Sequence, residues 1–208
     1  MRIALGLEYC GTGFEGWQRQ THGRTLQDAL EIAISQIAAE RIDVVCAGRT
    51  DTGVHASAQV LHFDTLVQRP LSAWIRGVNA HWPNGISVTW SREVDERFHA
   101  RFSAKSRCYR YVLLNRSVRS ALLNGRVGWY HAPLDVDVMA QAASLLEGVH
   151  DFSAFRAAEC QAHTPVRDLK VAQVQRQGEW IVFDFEANAF LHHMIRNLVG
   201  ALVYVGNG

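Results

Sequence analysis

The stretch Ala47-Gly48-Arg49-Thr50-Asp51-Thr52-Gly53-Val54-His55-Ala56 sets a guanidinium, two hydroxyls, a carboxylate and an imidazole in one short loop. Asp51-Thr52-Gly53 is the tripeptide on which an aspartic protease carries its catalytic carboxylate, and that chemistry needs two carboxylates sharing one proton. The chain has a single such tripeptide, and Gly48-Arg49-Thr50 stands where a protease would run an apolar strand into the aspartate. Arg49 would also hold Asp51 ionised, which opposes a shared proton. A lone carboxylate kept charged suits a nucleophile or a base. The alternative is an Asx-type turn between strands, with Gly48 and Gly53 supplying permissive backbone. Such a turn needs fewer functional groups than this loop carries.

Two further clusters invite chemistry. Arg97, Arg101, Lys105, Arg107, Arg110, Arg116, Arg119 and Arg126 fall in one segment that contains no acid, in a chain balanced at 21 basic against 20 acidic residues. Read as an extended strand from Arg101 to Val112, this segment puts Arg101, Ser103, Lys105, Arg107, Tyr109 and Tyr111 on one face. A cationic face ending in tyrosines suits a phosphate backbone and an unpaired base; a solvated charged face and ordinary sheet packing remain the alternatives. The second cluster is His192-His193-Met194-Ile195-Arg196-Asn197. On a helix, adjacent histidines point about 100° apart and the HxxxH zinc spacing is absent, so no metal site is expected. Arg196, four residues after His192 at the edge of an apolar stripe, would need an anion if partly desolvated, and Asp51 is the natural candidate. A surface arginine near a helix end is the other reading.

The elements that must position these groups follow from periodicity. IALGLEY reads as a strand; Thr25 and Asp28 form a capping box ahead of a helix with Leu26, Ala29, Leu30, Ala33, Ile34, Ile37 and Ala38 on one face. IDVVCAG and VHASAQVLHFDT read as strands flanking the aspartate loop, LSAWIRGVNAHW as a helix, and ISVTWSREV as a strand. VDVMAQAASLLEG is a second amphipathic helix, starting at Asp135 or Asp137. VRDLKVAQVQRQ and EWIVFDFEANAF pair as a hairpin across Gly178, and Leu191, Ile195, Leu198, Val199 and Leu202 mark a last helix. Interleaved strands and helices with hairpin pairs predict an α+β fold, a largely antiparallel sheet with helices on one face. A soft boundary near residues 95 to 105 divides two halves of similar make-up.

Composition bounds the class. The 208 residues, 48% hydrophobic and 20% charged with net charge +1, suit a globular protein with a sizeable core. No apolar run reaches membrane-spanning length and the opening residues lack a secretory pattern, so a soluble, cytoplasmic protein is expected. Cys10, Cys46, Cys108 and Cys160 form no CxxC pair, which argues against a zinc ribbon or disulfide framework. Arginine supplies all but two of the basic residues, favouring bidentate phosphate contacts.

Taken together, GRTDTGVHA, FHARFSAKSRCYRYVLLN and NAFLHHMIRNLVGALVYVG resemble, in order and spacing, the signature blocks of the TruA-type tRNA pseudouridine synthases, over essentially the whole chain. The resemblance implies two α/β halves, 1–100 with the catalytic aspartate loop and 101–208, sharing a mixed, largely antiparallel sheet around a central active-site cleft. It implies isomerisation of uridine to pseudouridine at positions 38 to 40 of the tRNA anticodon stem-loop, without metal or organic cofactor, by a homodimer. By its motifs, Asp51 is the catalytic aspartate, Arg49 the loop arginine that helps displace the base, Tyr109 the tyrosine that stacks on it, and Arg196 the partner of the aspartate. His55, Arg101, Lys105, Arg107 and Arg110 are further expected substrate contacts. Family members usually continue for several dozen residues past VGNG, so a shortened C-terminal half is expected. A non-catalytic RNA-binding module using the arginine and tyrosine face is the competing function.

Overall fold

The computed structural model describes residues 1–81 and 85–208. The chain divides into two compact units, Met1–Ala104 and Lys105–Gly208, each with its own sheet and core.

In the first unit, β1 (Arg2–Tyr9), β2 (Val45–Cys46), β3 (Ala56–Asp64) and β4 (Ile86–Val94) form an antiparallel sheet in the order β2-β3-β1-β4. Ile3, Leu5, Leu7, Leu61, Phe63, Ile86 and Val88 project from one face into a core shared with α1 (Leu26–Ala38) and α2 (Leu71–His81). On the opposite face the middle residues of β1, Ala4 and Gly6, are small because the space is taken: Ala4 is buried, and a Cβ on Gly6 would come within 2.0 Å of the Trp90 indole nitrogen. The capping box forms as its spacing predicts, with the Thr25 hydroxyl accepting from the Asp28 N–H at 3.3 Å. The helix expected over LSAWIRGVNAHW is found as far as His81; the last residue of that stretch, Trp82, lies outside the described residues.

In the second unit, β5 (Arg107–Asn115), β6 (Gly128–Tyr130), β7 (Gly148–Asp151), β8 (Val166–Gln177) and β9 (Trp180–Ala187) are ordered β6-β5-β9-β8-β7. All pairs are antiparallel except β5 with β6. The hairpin closes with Gln177 opposite Trp180 and Gly178 at φ 61°, a left-handed position that glycine takes without strain. Phe183, Phe185, Leu113 and Leu169 pack against Met139 and Ala143 of α3 (Val136–Ser144) and Leu198 and Leu202 of α4 (Met194–Asn207). Asp135 is the N-cap of α3, its carboxylate accepting from the Asp137 and Val138 N–H groups. The α+β class and the largely antiparallel strands match the sequence reading, with the strands grouped in two sheets.

Two elements differ from expectation. The strand expected from Arg101 starts only at Arg107, because residues 99–103 fold into a turn closed by local side-chain bonds: His99 Nδ1 accepts from the Phe102 N–H and Ser103 Oγ from the His99 N–H. Arg101 and Lys105 therefore do not share a strand face with Tyr109. The last helix starts at Met194, not Leu191; His193 sits at φ 60° as its N-cap, and a left-handed residue cannot lie inside a right-handed helix. Short β7 was missed: its four residues are all exposed, so burial leaves no alternating pattern.

Candidate active site

The aspartate loop joins β2 to β3 and is fixed by groups on both sides. The Ala47 N–H donates to the Val60 carbonyl at 2.8 Å, so the strand pair leads directly into the loop. Next, Gln59, buried on β3, donates to the Gly48 carbonyl at 2.6 Å while its own carbonyl accepts from the Gly48 N–H. The Tyr9 and Thr50 hydroxyls are hydrogen-bonded at 2.8 Å, and the Trp17 N–H donates to the Thr50 carbonyl at 2.9 Å. After Asp51 the chain turns, with the Val54 N–H on the Asp51 carbonyl at 3.1 Å and Gly53 at φ 79°. Finally, His55 Nδ1 accepts from the Gly11 N–H at 3.2 Å.

This packing explains the glycines of Cys10-Gly11-Thr12-Gly13-Phe14-Glu15-Gly16. A Cβ on Gly11 would meet the Val54 carbonyl oxygen at 2.2 Å, and Gly16, at φ 82°, lies 3.1 Å by the same measure from the Thr50 carbonyl oxygen. The backbone on either side of Asp51 is thus clamped at contact distance. Asp51 and His55 are half-buried, and Arg49 is exposed. Burial pushes the Tyr9 hydroxyl up, against hydrogen bonds from Thr50 and Gln59. It likewise pushes the adjacent Cys46 thiol up to about 11, against the charge of Arg49, so Cys46 stays protonated and unreactive near neutral pH.

In the second unit Arg107, Tyr109 and Tyr111 do share one face of β5. Tyr111 packs edge-on against Phe183 and belongs to the core, whereas Tyr109 is half-buried with its ring edge-on to Phe190 at 5.1 Å. Arg107 donates to the Asn188 carbonyl at 2.8 Å. Arg110 points to the other face and holds Asp184 through two bonds, at 2.7 and 3.1 Å. The acid-free run in the sequence also meets acids from outside it: Arg97 pairs with Asp95 and Arg116 with Glu179.

The approach to α4 also departs from the helical reading. His192 and His193 precede the helix, and their rings lie 3.9 Å apart between centroids, so the expectation that a helix would splay them does not hold. The His192 N–H reaches the Cys160 sulfur at 3.4 Å and its carbonyl accepts from the Ala157 N–H, tying this turn to the loop before β8. Arg196 is exposed in the first turn of α4, not desolvated at a stripe edge.

Sequence reasoning missed Tyr9, Gly11, Gly16 and Gln59. The glycine-rich Gly11–Gly16 run was a signal, since such spacing marks close backbone approach; a polar residue inside β3 gave none.

Comparison with known proteins adds an independent finding. A family model described as tRNA pseudouridine synthase matches residues 7–103 and 142–208. Asp51, Arg49, His55, Arg101 and Arg196 fall inside the matched stretches; Lys105, Arg107, Tyr109 and Arg110 fall between them. The chain is 61% identical over 208 residues to tRNA pseudouridine synthase A of Dechloromonas aromatica, an alignment covering 100% of this chain and 79% of the relative. It is 62% identical, with the same coverage, to the protein of that name from Aromatoleum aromaticum. To that of Thiobacillus denitrificans it is 61% identical, across 80% of the relative.

Proposed function

From the premise that this chain belongs to the tRNA pseudouridine synthase family, a family of isomerases, we propose that it converts uridine to pseudouridine at positions 38 to 40 of the anticodon stem-loop, with Asp51 as the catalytic carboxylate. The reaction breaks the bond between N1 of uracil and C1′ of ribose, turns the base, and rejoins it through C5, which gives up its proton while N1 gains one. A fixed anionic oxygen can attack or support the detached intermediate, provided the carboxyl is held still relative to the substrate. The observation that carries the reading is the clamp on both flanks of Asp51, formed by Gln59, Tyr9, Gly11 and Gly16. A turn that merely linked two strands would not require backbone on both sides at contact distance.

The remaining roles follow the chemistry. The target base is stacked in a helix and must be extruded, at a cost of about a few kcal/mol. Arg49, exposed at the loop, fills the gap the base leaves; Tyr109, anchored on Phe190, receives it. Arg196, exposed in the first turn of α4, is assigned the role of counter-charge to the catalytic carboxylate. His55, Arg101, Lys105 and Arg107 contact the RNA, the cations positioning phosphates without reading sequence. Arg110 contributes less, because Asp184 already holds its guanidinium. The enzyme works as a homodimer in the cytoplasm; no helix among the described residues is long and apolar enough to cross a membrane.

The test is Asp51→Asn, assayed on an anticodon-arm transcript. Pseudouridine formation is expected to fall at least about 10²-fold, with RNA affinity retained. Conversion at the wild-type rate would remove Asp51 from the mechanism.

A further inference from the structure

Outside the aspartate loop, the first unit displays an aromatic group that packing does not explain. Phe102 is 74% exposed, although leaving so large an apolar ring in water is unfavourable. Its ring is not loose on the surface. His99 stacks against it with centroids 4.2 Å apart and planes 29° from parallel, and the Arg101 guanidinium lies 5.6 Å from its centroid.

The turn beneath is tied down at several points. The Ser103 N–H donates to the His99 carbonyl at 2.7 Å, and the Phe102 N–H to His99 Nδ1 at 3.3 Å. Below them, the Ala100 N–H donates to Nδ1 of the buried His62 at 3.1 Å, and Arg2 grips the Phe98 carbonyl at 2.7 Å. The second face of the sheet thus holds the turn while its apolar tip faces solvent.

The turn lies beside the strand pair that leads into the aspartate loop. His62, which holds the turn, pairs with Val45 of β2, two residues before the loop begins at Ala47. Arg101, like Arg49, is close enough to Cys46 for its charge to oppose the effect of burial on that thiol. A rigid, exposed ring flanked by a cation and backed by an imidazole matches the chemistry of an unpaired nucleobase: a flat π-face to stack on, beside a phosphate to neutralise.

We propose that His99, Arg101 and Phe102 form a stacking platform for an unpaired base of the RNA substrate, a neighbour of the target nucleotide in the anticodon loop. The inference rests on the reading of an anticodon-arm substrate. Phe102 receives the base, His99 backs the ring, and Arg101 contacts the adjoining phosphate. Phe102 is then a positioning residue, one that fixes the register of the loop while the target base is displaced.

The test compares Phe102→Leu, which keeps an apolar side chain without a π-face, with Phe102→Trp, which enlarges that face. Both are titrated against an anticodon-arm RNA carrying 2-aminopurine at loop positions beside the target uridine. Phe102→Leu is expected to bind about tenfold more weakly and to lose the fluorescence quenching that stacking produces, whereas Phe102→Trp retains both. Because the side chain is exposed, both variants should melt with the wild type. Equal affinity and equal quenching in the wild type and Phe102→Leu would overturn the platform, as would a loss that Phe102→Trp shares. A Phe102→Leu variant that loses self-association but keeps RNA affinity would also overturn it, assigning the ring to a protein contact. The proposed function fails separately: wild-type protein that binds and quenches this RNA without forming pseudouridine leaves the platform standing, and wild-type protein that does not bind it removes both.

Discussion

Gln59 illustrates how one side chain far from charge can govern a charged site. Its amide satisfies both backbone groups of Gly48, the N–H and the carbonyl, and reaches the Tyr9 hydroxyl at 3.4 Å. Gln59→Leu keeps the bulk but leaves those two groups without their partner, at about 1–3 kcal/mol for each buried group left unsatisfied. The expected outcome is a lower melting temperature together with a reduced kcat for pseudouridine formation, RNA affinity being held by residues elsewhere. An unchanged kcat in a variant with a lowered melting temperature would show that the clamp serves stability alone. At this scale the sequence was legible where chemistry is contiguous. Arg49, Asp51 and His55 announce themselves within one loop, whereas Tyr9 reaches the same loop from a strand far back along the chain and Gln59 from the strand that follows it, and a polar residue on a strand reads by default as solvent-facing.

Among elements, local hydrogen bonding decides what periodicity leaves open. Thr25 and Asp28 were readable as a capping box because every partner lies within four residues, and Thr25→Ala is expected to cost about 1 kcal/mol, measurable by chemical denaturation. The turn at 99–103 was not readable as a turn: the alternation of Arg101, Ser103, Lys105 and Arg107 is that of a strand, but His99 and Ser103 offer the backbone closer partners than a neighbouring strand would. That turn also depends on protonation. Burial, followed by the charges of Arg2 and His99, holds the His62 imidazole below the usual histidine range, with Asp64 acting the other way. Its Nδ1 must be unprotonated to accept from Ala100. With the folded value lowered, the unfolded state takes up the proton first, so His62 supports stability above about pH 6.5 and that support is lost as pH falls below it. Denaturation midpoints measured near neutrality and about two pH units lower should fall in the wild type, and the fall should be smaller in His62→Gln. Equal falls in both would place the acid sensitivity in another group.

For the whole molecule, the quantity that matters is where charge remains available, and net charge conceals it. A protein at +1 offers no long-range attraction to RNA as a whole, yet the segment from Arg97 to Arg126 is basic throughout. Tertiary pairing then sorts that segment. Arg97, Arg110 and Arg116 are bound to Asp95, Asp184 and Glu179, acids that no reading of the segment alone could assign to them. Exposed pairs of this kind contribute little stability, but they lower the local field that a phosphate meets. Lys105, by contrast, is exposed. The affinity of a protein for RNA falls with salt by a slope of about 0.7–0.9 per phosphate neutralised, so the slope counts the cations in use. Lys105→Ala is expected to weaken anticodon-arm binding at low salt and to reduce that slope by about one contact. Arg110→Ala should leave the slope close to wild type, because the charge it removes is already shared with Asp184. Filter binding or fluorescence anisotropy across a salt series reads both variants directly. A slope that drops for Arg110→Ala as far as for Lys105→Ala would mean that RNA breaks the Arg110–Asp184 pair, and that the sorting of charge by ion pairing does not govern how this surface meets its substrate.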